Sequence, residues 1–158
     1  MKAILIVDHG STRPEANAML PCMAELVQHL VGGEVIVRHA HMELAEPTIE
    51  QGFADCVEAG ADEVIVFPYM LSPGKHSTRD IPRLVTEAAA PHTGVHYRVT
   101  PAFGVHEKLG EVILMRAGLA VGHPVSGATA TCCWDPSHST TACGDACRLK
   151  GLETLVIS

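Results

Sequence analysis

The sequence predicts an α/β domain in which a parallel sheet is covered by helices on both faces. Three observations carry the prediction. Short, continuous apolar runs such as Ala3-Ile4-Leu5-Ile6-Val7 and Val64-Ile65-Val66-Phe67 are closed by Gly or Pro, the mark of strands buried on both sides. Segments with helical spacing lie between the runs, and the two kinds alternate as β-α-β-α-β-α-β-α. That order requires right-handed crossovers. A chain of 158 residues suits one domain with a single core.

The first strand ends near Asp8-His9-Gly10. Thr12 and Glu15 have the spacing of a capping box, with Arg13 and Pro14 in the first turn. Ala16, Met19, Leu20, Met23, Leu26, Val27 and Leu30 then repeat at helical spacing up to Gly32-Gly33, and Pro21 is expected to kink this helix without ending it. Residues 34–39 make the second strand. Glu46-Pro47-Thr48 opens the second helix, which buries Ile49, Phe53 and Val57 and stops at Gly60. The third strand covers residues 63–67. The third helix covers about residues 80–90, with Asp80 as its cap and Pro82 in its first turn. Residues 95–99 form the fourth strand and residues 106–117 the fourth helix. Residues 122–131, rich in Gly, Pro, Ser, Thr and Ala, read as a linker. A cysteine-rich segment and a short apolar tail follow. The division expected is an α/β domain over residues 1–118 and an extension over residues 119–158.

Composition excludes several classes of function. The net charge of −7, with no basic stripe, argues against nucleic acid. No apolar stretch approaches the roughly 20 residues that span a bilayer. The opening Met1-Lys2-Ala3-Ile4 has no cleavable signal organisation, so the cytoplasm is the expected compartment. Cys22 and Cys56 lie on helical faces and read as small core residues. His29, His92 and His123 read as solvated.

His9 and His76 stand out because each follows a predicted buried strand, with Gly, Ser and Thr nearby. In a doubly wound sheet the carboxyl ends of the strands share one crevice, so the two histidines can meet there despite their separation in sequence. Two imidazoles there suit either a divalent metal ion or proton relay near neutral pH. His39 and His41, two apart on one strand, share a face and offer an auxiliary metal-entry site or simple packing.

In their order and spacing, Val7-Asp8-His9-Gly10-Ser11, Met42-Glu43-Leu44-Ala45-Glu46-Pro47, Pro68-Tyr69-Met70-Leu71 and Gly74-Lys75-His76 with Asp80-Ile81-Pro82 resemble the sirohydrochlorin chelatases. The likeness is to their short, single-domain CbiX-type class II form, over about residues 1–118. It implies a flavodoxin-like three-layer sandwich with a central four-stranded parallel sheet. It also implies an enzyme that inserts Co2+, or alternatively Ni2+ or Fe2+, into sirohydrochlorin for cobalamin, F430 or siroheme, working as a homodimer around the cleft. His9 and His76 match the family's metal-binding and proton-accepting histidines, and Glu43 matches an acidic position after the second strand. His106 is read as a loop or helix-start residue and not a main ligand.

The chemistry agrees with these residue types. Insertion removes two pyrrole protons while the incoming ion sheds water, and neutral imidazoles serve both needs. The substrate is a polycarboxylate and the chain is acidic, so local cations must supply complementarity. Arg13, Lys75, Arg79 and Arg83 are the candidates, although Arg13 and Arg83 also read as solvated helix positions, with Ser11, Ser77 and Thr78 as hydrogen-bond donors. Capping explains the hydroxyls equally well.

Cys132, Cys133, Cys143 and Cys147 crowd into the extension without the paired C-x-x-C spacing of structural zinc sites. Four thiolates suit a [2Fe–2S] cluster, and zinc or free thiols are the alternatives. Among other functions, a non-catalytic metal or tetrapyrrole carrier uses the same histidines without turnover. A histidine phosphatase needs an arginine cradle where Asp8 stands, and a nucleotide binder needs a Gly-rich loop that Gly10 alone does not make.

Overall fold

The computed structural model describes residues 1–122, in two units that divide between Ala102 and Phe103. The first unit contains β1 (Lys2–Asp8), α1 (Pro14–Asn17), α2 (Met19–Val31), β2 (Val35–His41), α3 (Ile49–Glu58), β3 (Glu63–Pro68), α4 (Ile81–Ala89) and β4 (His96–Val99). The described part of the second unit contains α5 (Glu107–Arg116). The strand order is β2-β1-β3-β4 and every neighbouring pair is parallel. This is the doubly wound, flavodoxin-like order, with its switch point between β1 and β3. The expected fold class holds.

β1 shows why its sequence does not alternate in polarity. Ala3, Leu5 and Val7 face one layer, where Ile49, Phe53 and Cys56 of α3 and Ile81 and Val85 of α4 complete the larger core. Ile6 faces the other way, where it packs with Val37 of β2 and with Leu20 and Ala24 of α2. Both sides of the strand are therefore apolar. Each buried Leu, Ile, Val or Phe among them contributes about 1.5–3 kcal/mol. Burial also pushes the Cys56 thiol up to about 12, so it packs as a neutral apolar group. At Gly52 a Cβ would come within 2.9 Å of the Ala40 and Leu5 side chains, which lets α3 lie close on the sheet.

Several elements depart from the sequence reading. The Thr12–Glu15 capping box does not form; Arg13 occupies the N-cap position with no side-chain bond. The first helix breaks at Ala18 instead of kinking at Pro21. Proline lacks the N–H that would bond the carbonyl four residues back, and that residue is Asn17, where α1 ends. The Asn17 side chain turns back to Ser11, accepting from its N–H at 2.9 Å and donating to its carbonyl at 2.8 Å. Met19, Leu26 and Leu30, expected on the buried face, are exposed, and so is Cys22. Val57 is only half-buried, while Ile49 and Phe53 are buried as expected. β2 runs two residues beyond its expected end, to His41, and β4 begins at His96. His92 is half-buried against Phe53, with ring centroids 5.7 Å apart.

Asp80 is also corrected. Its backbone is already helical and its side chain makes no capping bond, because a π-helical turn over His76–Asp80 runs straight into α4. His76 therefore opens a helical turn and does not sit in a loop. His123 and the cysteines at 132, 133, 143 and 147 lie outside the described residues.

Candidate active site

The carboxyl ends of β1, β2 and β3 each release a loop or turn at the same edge of the sheet, because the strands are parallel and in register. His9 follows β1, Glu43 follows β2, and His76 opens the turn reached from β3. The ring centroids of His9 and His76 stand 5.0 Å apart with their planes at 72°. The two histidines singled out in the sequence do meet at the β1/β3 switch point.

Glu43 joins them. His9 Nε2 lies 2.8 Å from Glu43 Oε1, and His9 Nδ1 lies 3.2 Å from the Gly10 carbonyl oxygen. Both partners are acceptors, so the two contacts are hydrogen bonds together only when the ring carries two protons. His76 is held differently: its Nδ1 donates to Asp80 Oδ2 at 2.9 Å. Arg79 Nε approaches the other oxygen, Oδ1, at 3.3 Å. Partial burial opposes ionisation of Asp80, but the hydrogen bonds from Arg79 and His76 outweigh it and hold the carboxyl below its ordinary value.

A buried pair stands behind this front row. His41 is 1% exposed and its Nδ1 donates to Asp8 Oδ1 at 2.6 Å. The same oxygen accepts from Gly10 N at 2.9 Å. Met42 N donates to Asp8 O at 2.8 Å and Glu43 N to His9 O at 3.1 Å, so the β1–β2 ladder continues into the loops that carry Glu43 and His9. His41 is thus committed to Asp8. Its neighbour His39 is half-buried, 6.0 Å away between ring centroids, and burial followed by the charge of His41 pushes its pKa down. Among the described residues no group of three or more His, Cys, Asp or Glu side chains is arranged to hold a metal ion.

The other expected residues fall in varied places. Ser11 Oγ accepts from Arg13 N at 3.1 Å, which is a local turn. Ser77 is buried, and its hydroxyl bonds the Gly74 backbone; Thr78 Oγ1 donates to the Gly74 carbonyl at 2.8 Å. These hydroxyls shape the turn ahead of His76. Arg13 and Lys75 are exposed, and among the described residues neither is in an ion pair. Arg83 pairs with Glu87 at 2.7 Å along α4, as a solvated helix position does. His106 is the N-cap of α5, its Nδ1 accepting from Lys108 N at 3.1 Å.

Sequence reasoning missed Asp80, Asp8 and the exposed leucines. Leu44 and Leu71, 58% and 73% exposed, lie on the segments that follow β2 and β3. The His-x-x-x-Asp spacing was the available signal for Asp80, since residues four apart share a helical face. Nothing in the local sequence marks Asp8 as the partner of a residue 33 positions away.

The CbiX family model matches residues 3–119. Over 120 residues the chain is 42% identical to the chloroplastic sirohydrochlorin ferrochelatase of Arabidopsis thaliana, a match covering 76% of this chain and 53% of that protein. It is 34% identical over 116 residues to a sirohydrochlorin cobaltochelatase of Priestia megaterium, covering 73% of this chain and 37% of that protein. The sirohydrochlorin chelatase SirB from Bacillus subtilis subspecies spizizenii, solved in complex with cobalt, superposes with a TM-score of 0.68 at 30% identity, over 74% of this chain and 50% of that one. The chain thus spans about half the length, or less, of these relatives.

Proposed function

The chain belongs to the CbiX family, and from that membership we propose that it inserts a divalent metal ion into sirohydrochlorin. The observation that carries the reading is the His9–His76 pair, 5.0 Å apart at the switch point with Glu43 on His9. His76 offers Nε2 to the ion. His9 and Glu43 take the pyrrole protons: a ring that accepts one then donates to both Glu43 and the Gly10 carbonyl, so the protonated state is hydrogen-bonded at each nitrogen. With His76 Nε2 as the nitrogen offered and no closed ligand set among the described residues, the site suits an ion in transit, which a four-ligand cage would retain.

Leu44 and Leu71 suit the apolar faces of a flat macrocycle, and the unpaired Arg13 and Lys75 suit its carboxylates. Co2+ is the metal we assign first, with Fe2+ and Ni2+ as alternatives, because imidazole ligands accept all three and supply decides among them. A second copy of the chain supplies the opposite wall of the cleft, in keeping with relatives about twice as long. No helix among the described residues is long and apolar enough to cross a membrane; we place the protein in the cytoplasm. Insertion is tested by anaerobic assay with sirohydrochlorin and each metal in turn. His9→Ala and His76→Ala should each remove most of the initial rate with unchanged circular dichroism. Near wild-type rates in both would refute the assignment, and product that stops at one equivalent would make the protein a carrier.

For the extension we propose a [2Fe–2S] cluster on Cys132, Cys133, Cys143 and Cys147, on the strength of their crowding in the sequence. Anaerobically prepared protein supplied with iron and sulfide should be coloured. Replacing Cys143 and Cys147 by Ser should bleach it and leave substantial insertion activity. Colourless protein with four titratable thiols in this segment would exclude the cluster.

A further inference from the structure

We propose that Asp80 is the positioning residue of the insertion site: by accepting from His76 Nδ1 it fixes that ring with Nε2 as the nitrogen offered to the incoming ion. This rests on the chelatase reading and adds a residue to it. The Nδ1–Oδ2 distance is 2.9 Å, and the Asp80 side chain is 18% exposed where the His76 ring is 47% exposed. The carboxylate thus stands behind the ring and leaves the far edge of the imidazole to the solvent side. Its second oxygen is held by Arg79 Nε at 3.3 Å, so the acceptor is anchored from both sides.

The backbone reinforces the arrangement. The π-helical turn over His76–Asp80 closes with Ile81 N bonded to the His76 carbonyl, and Ile81 itself is fully buried in the core. His76 and Asp80 are therefore fixed to each other and to the sheet, not joined by two mobile surface side chains. No capping duty accounts for Asp80, because its backbone is helical and its side chain bonds no backbone N–H. The contrast with His9 gives the assignment its direction. Glu43 engages His9 through Nε2, whereas Asp80 engages His76 through Nδ1, and among the described residues His76 Nε2 makes no hydrogen bond. A carboxylate behind a metal-binding histidine sets the tautomer, orients the ring and raises its basicity as a ligand.

The wild-type protein provides the first test. Long-range proton–nitrogen correlation of the histidine rings, recorded well above the ordinary histidine range with His76 identified from the spectrum of His76→Asn, should show His76 with its proton on Nδ1. A proton on Nε2 would overturn the proposal. The second test is Co2+ titration by visible absorption, with no sirohydrochlorin present. Asp80→Ala should bind Co2+ about 10–100-fold more weakly, and Asp80→Glu should recover most of the loss. In the insertion assay Asp80→Ala should raise the KM for Co2+ and leave that for sirohydrochlorin unchanged. Wild-type Co2+ affinity in folded Asp80→Ala would overturn the proposal; if that variant does not fold, the wild-type tautomer decides. A wild-type protein with the expected tautomer and Co2+ affinity that inserts no metal would sink the chelatase reading and leave the role of Asp80 standing.

Discussion

Gly10 joins His9 and Glu43, the pair proposed to accept the pyrrole protons. Its φ of +82° lies in the left-handed region, and a Cβ there would overlap the Glu43 carbonyl oxygen. The Gly10 N–H is bonded to Asp8, whose same oxygen takes the His41 ring. A residue without a side chain therefore lets the exits of β1 and β2 touch, and that contact sets the 2.8 Å between His9 and Glu43. Gly10→Ala should destabilise the fold by roughly 2–5 kcal/mol, from left-handed strain plus overpacking. Misplacing Glu43 by about an ångström should slow insertion on the order of 100-fold. Urea melts and initial rates measure the two separately. A destabilised variant with a wild-type rate would show that insertion does not depend on the close approach.

Helix starts show how far elements can be read without structure. The capping box that forms is at α3, where Gln51 N donates to Thr48 Oγ1 at 3.3 Å and Thr48 N to Gln51 Oε1 at 2.7 Å. Thr48→Ala removes one of these bonds and should cost about 1 kcal/mol in a urea melt, since its neighbours keep their packing. An unchanged midpoint would mean that the tertiary contacts of Ile49 and Phe53 alone hold the helix start. Thr12–Glu15 has the same spacing but no box, because the helix begins one residue later, with Arg13 at the N-cap position, and Asn17 bonds Ser11. Strands were more legible: a continuous apolar run buried on both faces has few other readings. The histidine pair was legible for the same reason, because strand ends in a parallel sheet converge wherever they lie in sequence. Asp80 was not, since Asp before Ile-Pro has the look of a cap and only the π-helical turn shows that the helix has already begun. Nor does periodicity say how much of an apolar stripe is covered, so Met19, Leu26 and Leu30 were assigned to the core although they are exposed.

At the scale of the whole molecule, charge and length pose a joint problem. On the proposed function, a chain of net charge −7 must hold a polycarboxylate. Long-range attraction is then unfavourable, and the proposed binding would depend on cations acting over a few ångströms, for which the exposed Arg13 and Lys75 are the candidates. On that proposal one copy offers Arg13, Lys75 and the exposed Leu44 and Leu71 to one side of a large flat substrate. Two copies related by a twofold axis would present two such walls and double the local cations. Light scattering at micromolar concentration should therefore give about twice the chain mass of 16.8 kDa. Raising the salt from about 0.1 M to 1 M shortens the screening length from ~10 to ~3 Å. That weakens the net repulsion of substrate by the acidic surface more than it weakens direct ion pairs in the cleft. The KM for sirohydrochlorin should accordingly change little or fall slightly in wild type, while Arg13→Gln with Lys75→Gln should raise it at either salt concentration. A strictly monomeric protein with full activity would show that one copy encloses enough of the macrocycle. A KM unmoved by the double substitution would place the carboxylate contacts elsewhere on the chain.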